Sequence, residues 1–400
     1  MTCRDDRVYD AVVVGGGPVG FRTAGAIARK GHRVVVLEEH AEVGRPLQCA
    51  GLVSPRVIDM APFSSCVIGQ VKGGYVHSPR ENVLHLDAGR TKALIIDRVR
   101  FDRSMASWAA TGGAEIRLKS RVTGLHRDQG GMTVSYRNLG NVYSVRCRVV
   151  VGADGPNSLV RKTFDLNRPE RFIRCYQAEF LGTPSSRDGF LHIFTGEDVS
   201  PGFFAWAIPT PTGYRVGLGV DRPGVNPKNC WKALLSLSSF VELMGNRSPG
   251  AIQSGIIPLG QPRNIVDDRV VLVGDSACQV KPTSGGGIYT GLLAADHAAD
   301  TIHTCLEKNE LSLGHLKEYQ KRCQSDVGRI VKKGMRLNKA FMHLSDEKME
   351  EGFKMINRPD VISLILRGDI DKPYAMATSV IRKAPGLVKF AGPYLRSYFK

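Results

Sequence analysis

A short, mainly apolar run from Tyr9 to Val14 meets Gly15, residues 19–30 then repeat apolar positions at helical spacing up to Gly31, and Val34–Leu37 is a second apolar run. This pattern predicts a βαβ unit of roughly 30 residues. After it the periodicity changes. Residues 66–96 alternate without helical spacing and are expected to form antiparallel strands, whereas Phe101–Ala110 returns to helical spacing and stops at Gly112-Gly113. Residues 115–151 predict a strand, a hairpin around Gly130-Gly131 and further strands ending at Val149-Val150-Val151. From 170 to 262 the chain is again strand-like, with turn signals at Pro184, Gly202, Pro211-Thr212-Gly213 and Pro223-Gly224 and one helix near Trp231–Met244. Residues 305–400 are mainly helical and basic.

Composition narrows the class. With 400 residues, 42% hydrophobic and 23% charged, the chain can build one elaborated α/β domain or two to three lobes with real cores. A net charge of +17 favours an anionic partner. No basic run with interleaved aromatics forms a nucleic-acid module, so a membrane surface or a phosphate-bearing substrate is expected and nucleic acid is not. Nine cysteines, odd in number and without a C-x-x-C pair, suggest neither a disulfide framework nor a metal site, which fits a reducing cytoplasm. Polar Thr2–Arg7 leads straight into the nucleotide-binding pattern and leaves no room for a signal peptide. No run of about 18 to 20 apolar residues predicts a spanning helix.

Chemistry enters at Gly15-Gly16-Gly17-Pro18-Val19-Gly20, which fits G-x-G-x-x-G between a strand and a helix. Glycine is needed there because the backbone must turn tightly and then approach a pyrophosphate at a helix N-terminus. Glu38 closes the second strand about 20 residues on, where a carboxylate holds ribose hydroxyls and disfavours a 2′-phosphate. FAD or NAD remains. Three further segments decide between them. Val149-Val150-Val151-Gly152-Ala153-Asp154-Gly155-Pro156 resembles the Asp-Gly fingerprint of flavoprotein hydroxylases, and Arg269–Ala277 with Pro282 and Gly285-Gly286-Gly287-Ile288 resembles their Gly-Asp motif. Arg98-x-x-Phe101-Asp102 adds an arginine where those proteins place one against the dinucleotide. Order and spacing resemble the p-hydroxybenzoate-hydroxylase-type FAD flavoproteins over residues 9–300. The physical reading agrees, because Asp275 stands free at a strand's carboxyl end and three glycine amides open a helix able to stabilise negative charge on a reduced ring.

Two stretches resemble geranylgeranyl reductases within that group. Arg45-Pro46-Leu47-Gln48-Cys49-Ala50-Gly51-Leu52-Val53-Ser54 is similar to their cysteine-containing segment beside the flavin, and Phe204-Ala205-Trp206-Ala207-Ile208-Pro209 to their Tyr-x-Trp-x-Phe-Pro motif. Phe204, Ile208 and Thr210 depart from the pattern and leave a more apolar wall. Outside the resemblance, Cys49 reads first as a small buried hydrophobe, and a core aromatic is the alternative reading of Trp206. The resemblance implies FAD bound by Gly15, Gly17, Gly20, Glu38, Cys49, Ala50, Leu52, Arg98, Val122, Asp154, Asp275, Gly287 and Ile288. It implies an isoprenoid lipid substrate against Phe204, Trp206 and Pro209, with Cys49 as the catalytic candidate. It also implies an α/β fold: a Rossmann-like FAD-binding domain (1–65, 97–165, 263–304), an inserted antiparallel-sheet substrate domain (66–96, 166–262) and a helical C-terminal region (305–400). No second glycine-rich unit binds a nicotinamide, so NAD(P)H, ferredoxin or a reduced deazaflavin is expected to dock as donor. The expected location is cytoplasmic and peripheral at the membrane, with basic Arg382–Lys400 against headgroups. Two other readings stand: a flavin-dependent halogenase or hydroxylase, with Lys72 as reactive lysine and a Trp-x-Trp-x-Ile-Pro-like motif, and a non-catalytic lipid-binding flavoprotein.

Overall fold

The computed structural model describes the chain except residues 1, 62, 167, 183–188, 342–343 and 391–400 and the side chains of residues 2–6. The βαβ unit is β1 (Thr2–Val14), α1 (Pro18–Ala28) and β2 (Val34–Leu37). β1 sits inside an eight-stranded sheet, parallel to β2 on one side and to the strand Asn141–Gly152 on the other. That strand in turn pairs in parallel with Val270–Leu272. Val12, Val13, Val149, Val150, Val270 and Val271 are fully buried, in one core with Phe21 of α1, Phe101 and Met105 of the helix Arg98–Thr111, Leu292 of the helix Ile288–Glu307, and Met132 and Val134 of the strand Gly131–Asn138. Gly25 of α1 lets Trp108 lie against the helix backbone, since a Cβ there would stand 2.5 Å from the indole.

The second sheet has seven strands, in the order Gln253–Leu259, Arg171–Leu181, Gly213–Val220, Ala205–Thr210, Phe190–Phe194, Gly73–His77, Val83–Asp87. Five of the six neighbouring pairs are antiparallel, but Phe190–Phe194 runs parallel to Gly73–His77, so the sheet is mixed rather than antiparallel throughout. The alternating stretch 66–96 divides: Val67–Val71 and Ala93–Ile96 join Leu52–Val53 in a separate three-stranded sheet, whose strand Val67–Val71 contacts Ala205–Thr210 of the second sheet. Near Trp231–Met244 two helices form, Pro227–Ser236 and Ser238–Met244, because Leu237 adopts extended backbone (ψ 137°) and breaks the run. They pack Trp231, Leu234, Phe240 and Met244 on the outer face of the sheet, against Ala205 and Ala207.

The rest is helical. The helix Ile288–Glu307 packs along α1 with eleven buried residues, and it runs through the boundary expected at 304. Helices Leu313–Ser325 and Val327–Phe341 follow it, and then three shorter ones, Asp346–Ile356, Pro359–Arg367 and Tyr374–Lys383, form a cap over the seam between the sheets. No helix among the described residues is long and apolar enough to cross a membrane. Of the basic segment Arg382–Lys400, residues 391–400 lie outside the described residues.

Candidate functional site

Three adjacent parallel strands bring three distant motifs to one sheet edge. Val14 of β1 is level with Gly152, and Gly152 with Leu272, so Gly15, Ala153-Asp154 and Gly274-Asp275 leave the sheet side by side. Gly15 has φ +103°, and a Cβ on it would strike the Ala153 carbonyl. A Cβ on Gly20 would strike the Gly15 carbonyl. Gly17 is different: nothing lies within 4 Å of where its Cβ would be, and it caps α1 without any side-chain acceptor. The first-turn amides of α1 therefore face open space, as pyrophosphate binding needs. Glu38 is 8% exposed and accepts from Gly16 N (2.6 Å), His40 N (2.8 Å) and His40 Nδ1 (2.6 Å), which fixes a carboxylate beside the glycine loop. Val122 lies two residues beyond Ser120, whose amide donates to the Glu38 carbonyl (2.7 Å).

Asp154 and Asp275 have different surroundings. Asp154 accepts from Ser158 Oγ (2.6 Å), Leu159 N (2.6 Å) and Val160 N (3.1 Å), so its side chain braces the turn and the helix Leu159–Thr163. Its neighbours Ala153, Gly155 and Pro156 line the cavity instead. Asp275 does line it, and burial pushes its carboxyl up to about 6, with Arg98 pulling the other way. A Cβ on Gly287 would stand 2.9 Å from Asp275 Oδ1, which shows why the loop before Ile288 is glycine. The helix Ile288–Glu307 also begins without a side-chain cap, so a second set of free amides faces the same cavity.

Arg98 forms a buried fork with Asp102 (Nη2 to Oδ2, 2.9 Å; Nη2 to Oδ1, 3.0 Å), and the Cys49 side chain lies against the same guanidinium. Burial works to lower the Arg98 pKa; Asp102 and Cys49 outweigh it and keep the group charged. Gly51 N donates to Cys49 Sγ at 3.4 Å. The second sheet suspends this segment: Arg215 Nη1 donates to the Ala50 carbonyl (2.7 Å) and Gln177 Nε2 to the Cys49 carbonyl (3.4 Å). Both residues escaped the sequence reading. A buried arginine amid the small and apolar residues of Gly213–Val220 was the available signal.

Beyond these residues opens a cavity of about 1130 Å³. Leu52, Phe204, Trp206 and Ile208 form one wall, and Phe203 stacks on Phe204 with ring centres 4.2 Å apart. Strand alternation sends Phe204, Trp206 and Ile208 to the cavity and Ala205 and Ala207 to the opposite core. Pro209 falls on the latter side, and Ile208 takes the place on the wall expected for it. Leu344, Phe353, Ile365, Ile370, Met376 and Val380 of the C-terminal helices and their loops roof the chamber, a role absent from the sequence reading. Lys72, the lysine of the halogenase alternative, is an exposed residue at the rim.

Residues 8–210, just over half the chain, match the FAD binding domain family. The chain belongs to these FAD flavoproteins. A digeranylgeranylglycerophospholipid reductase of Methanothrix thermoacetophila is 30% identical over 378 residues, covering 90% of this chain and 94% of the relative. Within the FAD flavoproteins, then, the chain belongs to the family of the archaeal digeranylgeranylglycerophospholipid reductases. The fold of a geranylgeranyl bacteriochlorophyll reductase-like protein of Thermoplasma acidophilum superimposes with a TM-score of 0.81 at 22% identity, covering 94% of this chain and 100% of that one. A flavin-dependent brominase shares the fold with a TM-score of 0.72 at 16% identity, covering 95% and 100%. FAD is the flavoprotein's cofactor, and the uncapped helix starts, the open Gly17 and the close-packed Gly287 fit it.

A second polar cluster lies outside the cavity lining. His32 Nε2 and His303 Nδ1 stand 2.8 Å apart, with Glu307 4.0 Å from His32. Two nitrogens on one tetrahedral zinc stand roughly 3.3 Å apart at bonds of ~2.0–2.1 Å. A hydrogen bond between the two imidazoles accounts for the closer spacing.

Proposed function

We propose that this protein is an FAD-dependent reductase that saturates isolated carbon-carbon double bonds of geranylgeranyl chains on isoprenoid ether-lipid precursors. The observation that carries the reading is one apolar chamber continuous with the flavin loops. At about 1130 Å³ it matches or exceeds the ~300–1,000 Å³ of ordinary small-molecule pockets, as a ring plus a long chain requires. Reduced FAD, when bound, supplies hydride to the alkene.

The chain's own groups divide the remaining work. Gly15, Gly17 and Gly20 admit the pyrophosphate, and Glu38 holds the ribose beside them. Asp275 takes hydrogen bonds from the ribityl chain, while Gly287 and Ile288 present free amides to the ring. Arg98 faces the dinucleotide from the Cys49 side, and Val122 and Asp154 support the pocket from behind. Cys49, Ala50 and Leu52 lie between ring and chain, with Cys49 touching the alkene. Phe204 and Trp206, joined by Ile208, exclude water from the reacting carbons. The electron donor docks transiently, as NAD(P)H, ferredoxin or a reduced deazaflavin. A net charge of +17 supports peripheral attachment to anionic membrane, where the lipid substrate resides.

The test is anaerobic. Protein reduced with dithionite and mixed with digeranylgeranylglyceryl phospholipid should reoxidise its flavin while the lipid gains two mass units per bond reduced. Unchanged lipid mass refutes the reading, and a product that needs oxygen and chloride selects the halogenase alternative.

A further inference from the structure

Lys281 belongs to the loop Val280–Gly287 and extends its side chain to Asp371 of the cap. It is 8% exposed, and its Nζ donates to Asp371 Oδ1 at 2.6 Å. Asp371, fully buried, also accepts from Arg56 (2.9 Å), which grips Asp369 as well (2.8 Å). Two cations and two carboxylates thus form one neutral group on the cavity wall. Lys281 is the member nearest the glycine loop: its amide donates to the Gly286 carbonyl (3.1 Å), and its Nζ lies 3.3 Å from where a Gly286 Cβ would be. The same loop ends in the free amides that open the helix Ile288–Glu307, and Lys281, Gly286 and Asp275 all line the cavity. Holding the cap is a job Arg56 and Lys92 already share, since Lys92 Nζ donates to the Leu366 and Gly368 carbonyls (2.8 and 2.7 Å). A buried ammonium facing the flavin loop is therefore not required for docking alone.

We propose that Lys281, held by Asp371, sets the reduction potential of the bound flavin by placing a positive charge beside the ring. This rests on the FAD assignment and not on the identity of the lipid. A ring that takes two electrons and one proton from an external reductant carries one more negative charge than before. An ammonium in a low-dielectric wall favours that state, and a carboxylate behind it opposes it. Removing Lys281 leaves the four-membered group with a net charge of −1, while neutralising Asp371 leaves it at +1. The two changes break the same ion pair but shift the potential in opposite directions.

Equilibrium reduction of FAD-loaded protein by dithionite against a reference dye, without substrate, reads this directly. K281M should lower the equilibrium constant for reduction at least tenfold, about 30 mV for a two-electron couple. D371N should raise it, and K281R should stay near the parent. The ratio of dissociation constants for oxidised and reduced FAD gives the same shift independently. Should a single variant fail to fold, K281M/D371N leaves Arg56 paired with Asp369. It should still shift negative, because the lost ammonium is nearer the loop than the lost carboxylate. A K281M equilibrium constant within threefold of the parent, or shifts in the same direction in K281M and D371N, overturns the proposal. A protein that takes up no FAD overturns the functional reading itself.

Discussion

Asp275 shows how one side chain records an intended ligand. Its carboxyl stands at about 6 because burial in the cavity wall penalises the charge. Between about pH 3.8 and 6 the ligand-free fold keeps a proton that the unfolded chain has released. The contribution of Asp275 to stability is therefore greatest below about pH 3.8 and is lost as pH rises through about 6. In the proposed ribityl contact it is the charged form that accepts, so FAD affinity should instead rise with pH across the same window. Titrating FAD at pH 5 and pH 7 checks this: the parent should bind more tightly at pH 7, and D275N should show no such difference. Cys49 offers a second test. C49A should keep one FAD per chain and lose at least tenfold in lipid turnover; full turnover would return Cys49 to a packing role.

The glycine loop and the Trp206 strand act as elements. A methyl group at Gly20 collides with the carbonyl of Gly15, so G20A should abolish FAD retention and lower the melting temperature. Retention of yellow flavin through gel filtration would contradict this. Trp206 packs against Gly217, where a Cβ would stand 2.4 Å from the indole, and its Nε1 is buried without a hydrogen-bond partner. Large-to-small changes at buried aromatics cost about 3–5 kcal/mol, and W206A should fall at the low end because one face already borders a cavity. Urea unfolding measures that cost, and turnover of the same variant shows whether the wall also guides the chain. The strand also explains a departure in the site: period-two alternation was legible in Phe204, Trp206 and Ile208, and it excludes Pro209 from the cavity face.

At the scale of the molecule, the cap and the body differ in how deeply they are buried. Asp346–Ile356 and Pro359–Arg367 each bury one residue and Tyr374–Lys383 buries two, whereas Ile288–Glu307 buries eleven. Cap amides should exchange with solvent orders of magnitude faster than those of β1, and bound lipid should slow them selectively, as hydrogen-exchange mass spectrometry can read. Equal protection in cap and sheet would mean that the chamber does not open this way. Vesicles with anionic headgroups should retain the protein at low salt and release it at high salt, since the attraction is screened.

What the sequence determined by itself is local. Glycines that must turn or approach closely, carboxylates at strand ends and the alternation of strands announce themselves through spacing, because each is dictated by backbone geometry within a few residues. Three such signals sufficed for FAD and for the α/β class. Only tertiary structure decided what meets across the seam: Arg215 and Gln177 suspending the Cys49 segment, Lys281 gripping Asp371, and the roof of apolar helix faces. Those pairings join residues about 90 to 170 positions apart, and an amphipathic helix specifies that it needs an apolar partner without specifying which one. The partner is chosen by the parallel sheet and its neighbours once they have packed.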